Sequence, residues 1–210
     1  MTFAYTFSND QSLHPEFQTI VLPNVDTAKK LNLLSWNIKM FPNPYGWFHN
    51  SLARTKNISK LLQEFEQYDI ILFQEAYSIQ FCSIIYKSLH SMYPYQILPK
   101  EQGVVKQNSG LWAISRVPIK LKDEIFFTQT RAWDKLASKG AKLYSITINK
   151  QEFHIINTHM QSDYNQNYSD IRISQYTEIN DKLVQPHSKI GIPLILCGDL
   201  NISKQTKLQK

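Results

Sequence analysis

Apolar residues gather along this chain in short dense runs that stop on polar residues, most sharply in IPLILCGDLN at 192–201. Ile195, Cys197, Asp199 and Asn201 alternate there with Leu194, Leu196 and Leu200, so a β reading puts Asp199 and Asn201 on one face. Three further runs end the same way: LNLLSWN at Asn37, YDIILFQE at Glu75 and FHIINTH at His159. Strands that each deliver an Asn, Glu, His or Asp at the carboxyl end suit a phosphate-and-metal site at a sheet rim, where open sheets collect ligands.

The same periodicity predicts the remaining elements. Residues 31–38 read as a strand closed by FPNPYG. A helix fits 51–67, with Leu52, Ile58, Leu61, Leu62 and Phe65 at helical spacing behind Asn50 or Ser51 as a cap. Strands follow at 69–75 and 93–98, with an amphipathic helix over 78–89 between them. LWAIS at 111–115 and the run 119–127 read as strands, and TQTRAWDKLASKG at 128–140 as a polar loop. The runs 143–148 and 153–158 flank Asn149-Lys150 as a β-hairpin would. Residues 169–184 are helical by the spacing of Ile171, Tyr176, Ile179 and Leu183. Residues 1–30 form a polar arm interrupted by Pro15 and Pro23, with one short strand expected near 18–22. Strands alternate with helices in places and pair in hairpins elsewhere, which predicts a mixed α/β layered fold.

Composition narrows the picture only a little. The chain has 210 residues, 42% of them hydrophobic, enough for one sizeable core and a single main domain at 31–210. A formal charge of +6 favours phosphate-bearing partners, although no basic run concentrates it and an ordinary basic surface reads equally well. Cys82 and Cys197 sit in apolar surroundings, too far apart for a metal knuckle, and read as buried free thiols. No apolar stretch reaches the ~20 residues of a membrane span, and MTFAYTFSND lacks a signal-peptide layout. A cytoplasmic protein, or one exported without a Sec signal peptide, is the expectation.

Taken singly, each polar residue has a plain alternative. Glu75 suits a solvated strand end, Asn37 and Asp199 suit turns, and His159 suits a satisfied structural histidine. Asp134 and Lys139, in the polar loop, suit ordinary surface charges.

Five segments, taken in order, carry a resemblance: LSWNIKM at 34–40, FQEAY at 73–77, SGLWAISRVPI at 109–119, NTHMQ at 157–161 and GDLN at 198–201. Together they resemble the endonuclease/exonuclease/phosphatase superfamily. Within it the chain is most similar to the neutral sphingomyelinase branch, through DKLASKGAKLYSI with Asp134 and Lys139 five apart, THMQ, and Arg172 and Gln175 in the following helix. The resemblance implies a DNase I-like four-layer α/β sandwich of two mixed sheets flanked by helices. It further implies a hydrolase that cleaves phosphodiesters with Mg2+ or another hard divalent cation. Carried over, Glu75 is the main metal ligand with Asn37 beside it. Asp199 and Asn201 orient water and phosphate, and His159 stabilises charge on the phosphate or assists the leaving group. Lys139, with Asp134, adds positive charge. Such roles suit the chemistry, because Mg2+ takes few carboxylates and phosphoryl transfer needs positioning and positive charge.

The branch implies sphingomyelin as substrate, giving ceramide and phosphocholine. A lipid headgroup is therefore expected over nucleic acid, with peripheral membrane contact through Trp47, Phe48 and Trp133. One departure stands out. Members carry a further Asp-His pair near the carboxyl end, whereas ISKQTKLQK, which follows Asn201, contains no Asp, Glu or His. The expectation is a second sheet incomplete at its carboxyl end, and weak or absent turnover by these residues alone, since a lost general base costs ~10²–10⁴-fold. A shortened paralogue that binds phosphate or lipid headgroup without turnover, and a nuclease of the same superfamily, are the rival readings.

Overall fold

The computed structural model describes residues 2–3, 30–42, 50–64, 67–99, 107–163 and 167–202. The strand expected near 18–22, and Trp47 and Phe48, lie outside the described residues. Strands β1 (Thr2–Phe3), β6 (Ile119–Phe126), β7 (Gly140–Ile148), β8 (Gln151–His159) and β9 (Leu194–Asp199) form a five-stranded sheet in the order β1-β9-β8-β7-β6. Strands β2 (Leu33–Met40), β3 (Ile70–Ala76), β4 (Tyr95–Ile97) and β5 (Trp112–Ser115) form a four-stranded sheet in the order β2-β3-β5-β4. Both sheets are mixed. β2 and β3 run parallel across helix α1 (Ser51–Glu64), and β8 and β9 run parallel across helix α3 (Ser169–Ile179). The other long pairings are antiparallel, including the β7–β8 hairpin, whose Asn149 and Lys150 both take the positive φ that a two-residue turn of this hand requires.

Alternating side chains stack these elements into four layers. Ile71 and Phe73 of β3 pack with Ile58 and Leu62 of α1 and Phe81, Cys82 and Ile85 of helix α2 (Ile79–Leu89). Ile70 and Leu72, on the opposite face of the same strand, meet Tyr144, Phe153, Ile155, Ile195 and Cys197 of the other sheet. Leu143, Ile156 and Leu196 then cover Ile179 of α3, and Leu183 and Val184 beyond it. The order helix, sheet, sheet, helix is the sandwich that the resemblance implies, and its second sheet has four strands. Cys82 and Cys197 are buried free thiols, each pushed up to about 12 by burial.

Several local expectations are corrected. The loop at 128–140 contains a 3-10 turn, Ala132–Leu136, and β7 begins at Gly140 rather than at 143. Helix α1 buries Ser51, Thr55, Ile58, Ser59 and Leu62, and leaves Leu52 exposed. The helix is rolled this way because Arg54 and Thr55 reach β2: Arg54 donates to the carbonyls of Ile38 and Lys39, and Thr55, whose hydroxyl donates to the carbonyl of Ser51, packs its Oγ1 3.6 Å from Met40 Sδ. In α3 the buried stripe runs through Gln175 instead of Tyr176, since Gln175 bridges Gln161 and Gln129. Beyond α3 the helical path continues as a π turn, Asn180–Val184. No helix among the described residues is long and apolar enough to cross a membrane.

A candidate metal and phosphate site at the sheet ends

β2 and β3 of one sheet face β8 and β9 of the other, so the carboxyl ends of two parallel pairs open on the same edge. One residue below that edge a buried amide pair joins the sheets. Gln74 donates to Asn157 Oδ1 at 2.7 Å and to Ser35 Oγ at 3.1 Å, while Asn157 Nδ2 donates to the carbonyl of Phe73. Both amides are fully buried, and the bridge ties the sheets together although Gln74 Oε1 is left buried without a hydrogen-bond partner among the described residues.

The five-stranded sheet delivers its residues by plain alternation. Asn157 and His159 continue the face of Phe153 and Ile155, and Asp199 continues that of Ile195 and Cys197. His159 and Asp199 stand side by side in the parallel register. Gly198, just before, sits so close that an added Cβ would lie 2.0 Å from the carbonyl oxygen of Thr158. In the four-stranded sheet, alternation alone would send Glu75 towards the helices with Ile71 and Phe73. The backbone prevents it: Glu75 has φ 54°, and β2 carries a bulge between Asn37 and Met40 with Lys39 at φ 47°. Left-handed backbone at two non-glycine residues beside a bulge re-aims side chains into a site at a cost in local strain.

The result is one cluster. Asn37 Nδ2 donates to Glu75 Oε1 and to Asp199 Oδ2, both at 2.8 Å, so a single amide spans carboxylates from opposite sheets. His159 Nε2 lies 3.9 Å from each of those oxygens. Asp199 Oδ1 accepts from the backbone N–H of Asn201, whose side chain donates to the carbonyl of Met160. Lys139, 2% exposed, donates to Asp134 at 2.9 Å, to the carbonyl of Met160 and to Ser162 Oγ, and stands 3.1 Å from His159 Nε2. Asp134 and Lys139 are thus a buried pair, and the surface-charge alternative is wrong for both. Asn37, Glu75, Asp134, His159, Asp199 and Asn201 line a single cleft of about 380 Å³, with Lys139 behind its wall.

Burial sets the protonation states. It pushes the Glu75 carboxyl above its ordinary value, against the pull of the Asn37 hydrogen bond and the Lys139 charge. Burial and then the charge of Lys139 hold the His159 imidazole well below its usual range, so the ring is neutral near pH 7. Lys139 Nζ stands beside Nε2, and the other ring nitrogen, Nδ1, is buried without a hydrogen-bond partner among the described residues.

These groups fit a hard divalent cation. Ligand atoms of Glu75, His159 and Asp199 lie within 4.8 Å of one another, the one such grouping among the described residues. Two nearby carboxylates bridged only by a neutral amide leave negative charge uncompensated, and carboxylate oxygens are what Mg2+ prefers. Sequence reasoning missed half of the lining, including Gln107, Ala137, Ser162 and Asp163 and the trio Lys39, Phe41 and Tyr77, the last two with rings stacked at 5.7 Å. The signal of that trio was position, since each lies two residues past Asn37 or Glu75 or continues such a stretch.

Comparison with known proteins decides the family. Residues 34–206 match the model of the endonuclease/exonuclease/phosphatase family. The chain belongs to that family. It is 27% identical over 197 residues to sphingomyelinase C 2 of Leptospira interrogans, an alignment covering 84% of this chain and 31% of that protein. The structure of Staphylococcus aureus beta toxin with bound magnesium ions superposes with a TM-score of 0.70 at 23% identity, covering 83% of this chain and 66% of the other. D. rerio TDP2 complexed with a single-strand DNA product superposes at 0.61 with 17% identity over 81% of this chain and 60% of that one. At these identities the structural likenesses establish the DNase I-like fold of this family member. The chain spans about a third of the Leptospira sphingomyelinase.

Proposed function

We propose that this chain carries the metal and phosphate site of a phosphodiesterase acting on a phospholipid headgroup, with sphingomyelin as the substrate. The observation that carries the reading is the Asn37 amide holding Glu75 and Asp199 together beside a neutral His159. Likeness to bacterial sphingomyelinases supports the substrate class. So does the cleft rim, where Trp133 is 72% exposed, with Leu136, 56% exposed, and exposed Arg131 and Lys135 close by in sequence. An aromatic and an aliphatic side chain accompanied by cations suit the interface of a lipid surface.

In this reading water attacks phosphorus, the bond from phosphorus to the ceramide oxygen breaks, and that oxygen takes the proton. Glu75 is the principal holder of a Mg2+ ion, with Asn37 beside it. Bound there, the metal supplies positive charge against the charge that builds on the phosphate. The remaining work is positioning. Asp199 has both oxygens fixed, by Asn37 and by Asn201, and so presents a rigid acceptor for the attacking water. Asn201 commits its N–H to Met160 and leaves its side-chain carbonyl to orient the same water. Lys139, anchored by Asp134, steadies His159 and holds positive charge behind the phosphate.

The test is Mg2+-dependent hydrolysis by the purified chain of sphingomyelin vesicles, a DNA duplex and bis-p-nitrophenyl phosphate, beside Glu75→Ala. The reading expects sphingomyelin turnover that is weak in these residues alone, because the Asp-His pair is missing, and that the substitution abolishes. Preference for the duplex would replace it with a nuclease. A folded chain that binds Mg2+ and turns over none of the three would make it a phosphate-binding paralogue.

A further inference from the structure

The cleft contains a cation that the proposed mechanism does not use. Lys39 lines it beside Glu75, and its exposed ammonium makes no hydrogen bond or ion pair among the described residues. Its backbone, by contrast, is held on both sides. The N–H donates to Asn37 Oδ1 at 3.0 Å, and the carbonyl accepts from Arg54 Nη1 at 3.1 Å, while Arg54 Nη2 takes the preceding carbonyl of Ile38 at 2.6 Å. The same Asn37 whose amide N–H holds the two carboxylates therefore fixes Lys39 through its oxygen. At φ 47° the residue is strained, and nothing in its side-chain contacts offsets the strain. A strained backbone that displays an unpaired charge into a cleft is the mark of a binding position.

Charge matching says what it binds. Asp134 is matched by Lys139, and Asp163, also at the cleft, is matched by a two-pronged contact from Arg172 at 2.7 and 3.1 Å. Among the described lining residues that leaves Glu75 and Asp199 against Lys39, whose charge acts on Glu75. A divalent cation cancels the two carboxylates, and Lys39 then stands as the unmatched charge, equal and opposite to the single charge of a phosphodiester.

We propose that Lys39 is a substrate-binding residue, its ammonium taking a non-bridging phosphate oxygen in the cleft. The inference rests on the phosphodiesterase reading for the identity of the substrate, and on the position of Lys39 and the charge balance of the metal-loaded cleft for the phosphate. Charge-assisted hydrogen bonds to phosphate are among the stronger polar contacts, so its loss is measurable.

The experiment compares the wild-type chain, Lys39→Met, Lys39→Arg and Lys39→Gly, the last relieving the positive φ and securing a folded variant that lacks the charge. Calorimetry with inorganic phosphate in saturating Mg2+ reads binding, titration with Mg2+ alone reads the metal site, and bis-p-nitrophenyl phosphate hydrolysis reads KM and kcat. The expected result is a roughly 10-fold or larger loss of phosphate affinity in Lys39→Met and Lys39→Gly, recovery in Lys39→Arg, unchanged Mg2+ affinity, and a rise in KM exceeding any fall in kcat. Phosphate binding that is unchanged in both charge-free variants, or absent from the wild type, overturns the proposal. A chain that binds phosphate through Lys39 yet hydrolyses no diester would sink the phosphodiesterase reading and leave this one standing. Normal hydrolysis with Lys39 dispensable would do the reverse.

Discussion

The two sheets supply the same site by different physical means. On the five-stranded side His159 and Asp199 arrive on regular strands, and electrostatics finish the arrangement: a buried Lys139, its Asp134 partner and a neutral imidazole. On the four-stranded side Asn37 arrives by alternation just before a bulge, and Lys39 and Glu75 arrive through left-handed backbone braced by Arg54. The charge pairing lies on the first side, whereas on the second two residues at the strand ends, Lys39 and Glu75, are themselves strained. Substitutions should therefore fail differently in the two halves.

The largest effect is expected where charge pairing is broken. Lys139→Met leaves Asp134 as an uncompensated charge that is 5% exposed, and should cost about 3–5 kcal/mol in denaturant unfolding. Adding Asp134→Asn should restore much of that loss, because the stranded charge is then gone. A Lys139→Met cost below about 1 kcal/mol would place the pair in effective contact with water and remove the contrast between the halves.

A second, intermediate effect is acid sensitivity. The folded pKa of His159 is depressed, so the unfolded chain binds a proton that the folded chain refuses. Its contribution is present above the ordinary value of 6.5 and is lost as pH falls from there through the folded value, with a slope approaching 1.4 kcal/mol per pH unit at about its steepest. Glu75 acts in the opposite sense. Its folded pKa is raised, so its contribution is present below the ordinary 4.5 and is lost as pH rises through the folded value. Unfolding measured across this range should lose its fall just below pH 6.5 in His159→Asn. An unaltered profile in that variant would mean that another group carries the acid sensitivity.

The halves also differ in how far they were legible. On β9 the alternation of apolar and polar residues was enough to put Asp199 on one face with Ile195 and Cys197, because a regular strand obeys its period, and His159 was legible as the polar end of the β8 run. Buried pairing of Asp134 with Lys139 was invisible to periodicity, since the 3-10 turn that carries Asp134 lies in a polar stretch with no apolar repeat. On β2 and β3 alternation pointed the wrong way for Glu75. No glycine or proline marks the bulge at Lys39 or the turn of Glu75, so neither could be read locally. Their place at the ends of apolar runs brought Asn37 and Glu75 to the sheet rim, and the order of the motifs, through the family resemblance, gave them their roles. Lys39 was missed because its orientation is a property of the bulge, and Arg54 on a separate helix helps to make the bulge.

The smallest effect tests the contrast most directly, because it depends on the sign of a difference. Glu75→Ala and Glu75→Gly both delete the carboxylate and differ only by a Cβ on a backbone at φ 54°. In that region an L side chain carries a cost of about 1 kcal/mol that glycine escapes, so Glu75→Gly should be the more stable of the two by roughly that amount. Asp199 has no such φ, and within a regular strand glycine is the poorer residue, so Asp199→Gly should fall below Asp199→Ala by about 0.5–1 kcal/mol. Denaturant unfolding of the four variants gives two differences of opposite sign if strain aims Glu75 and regular pairing aims Asp199. Two differences of the same sign would mean that both carboxylates are delivered by the same device, and the distinction between the sheets would be lost.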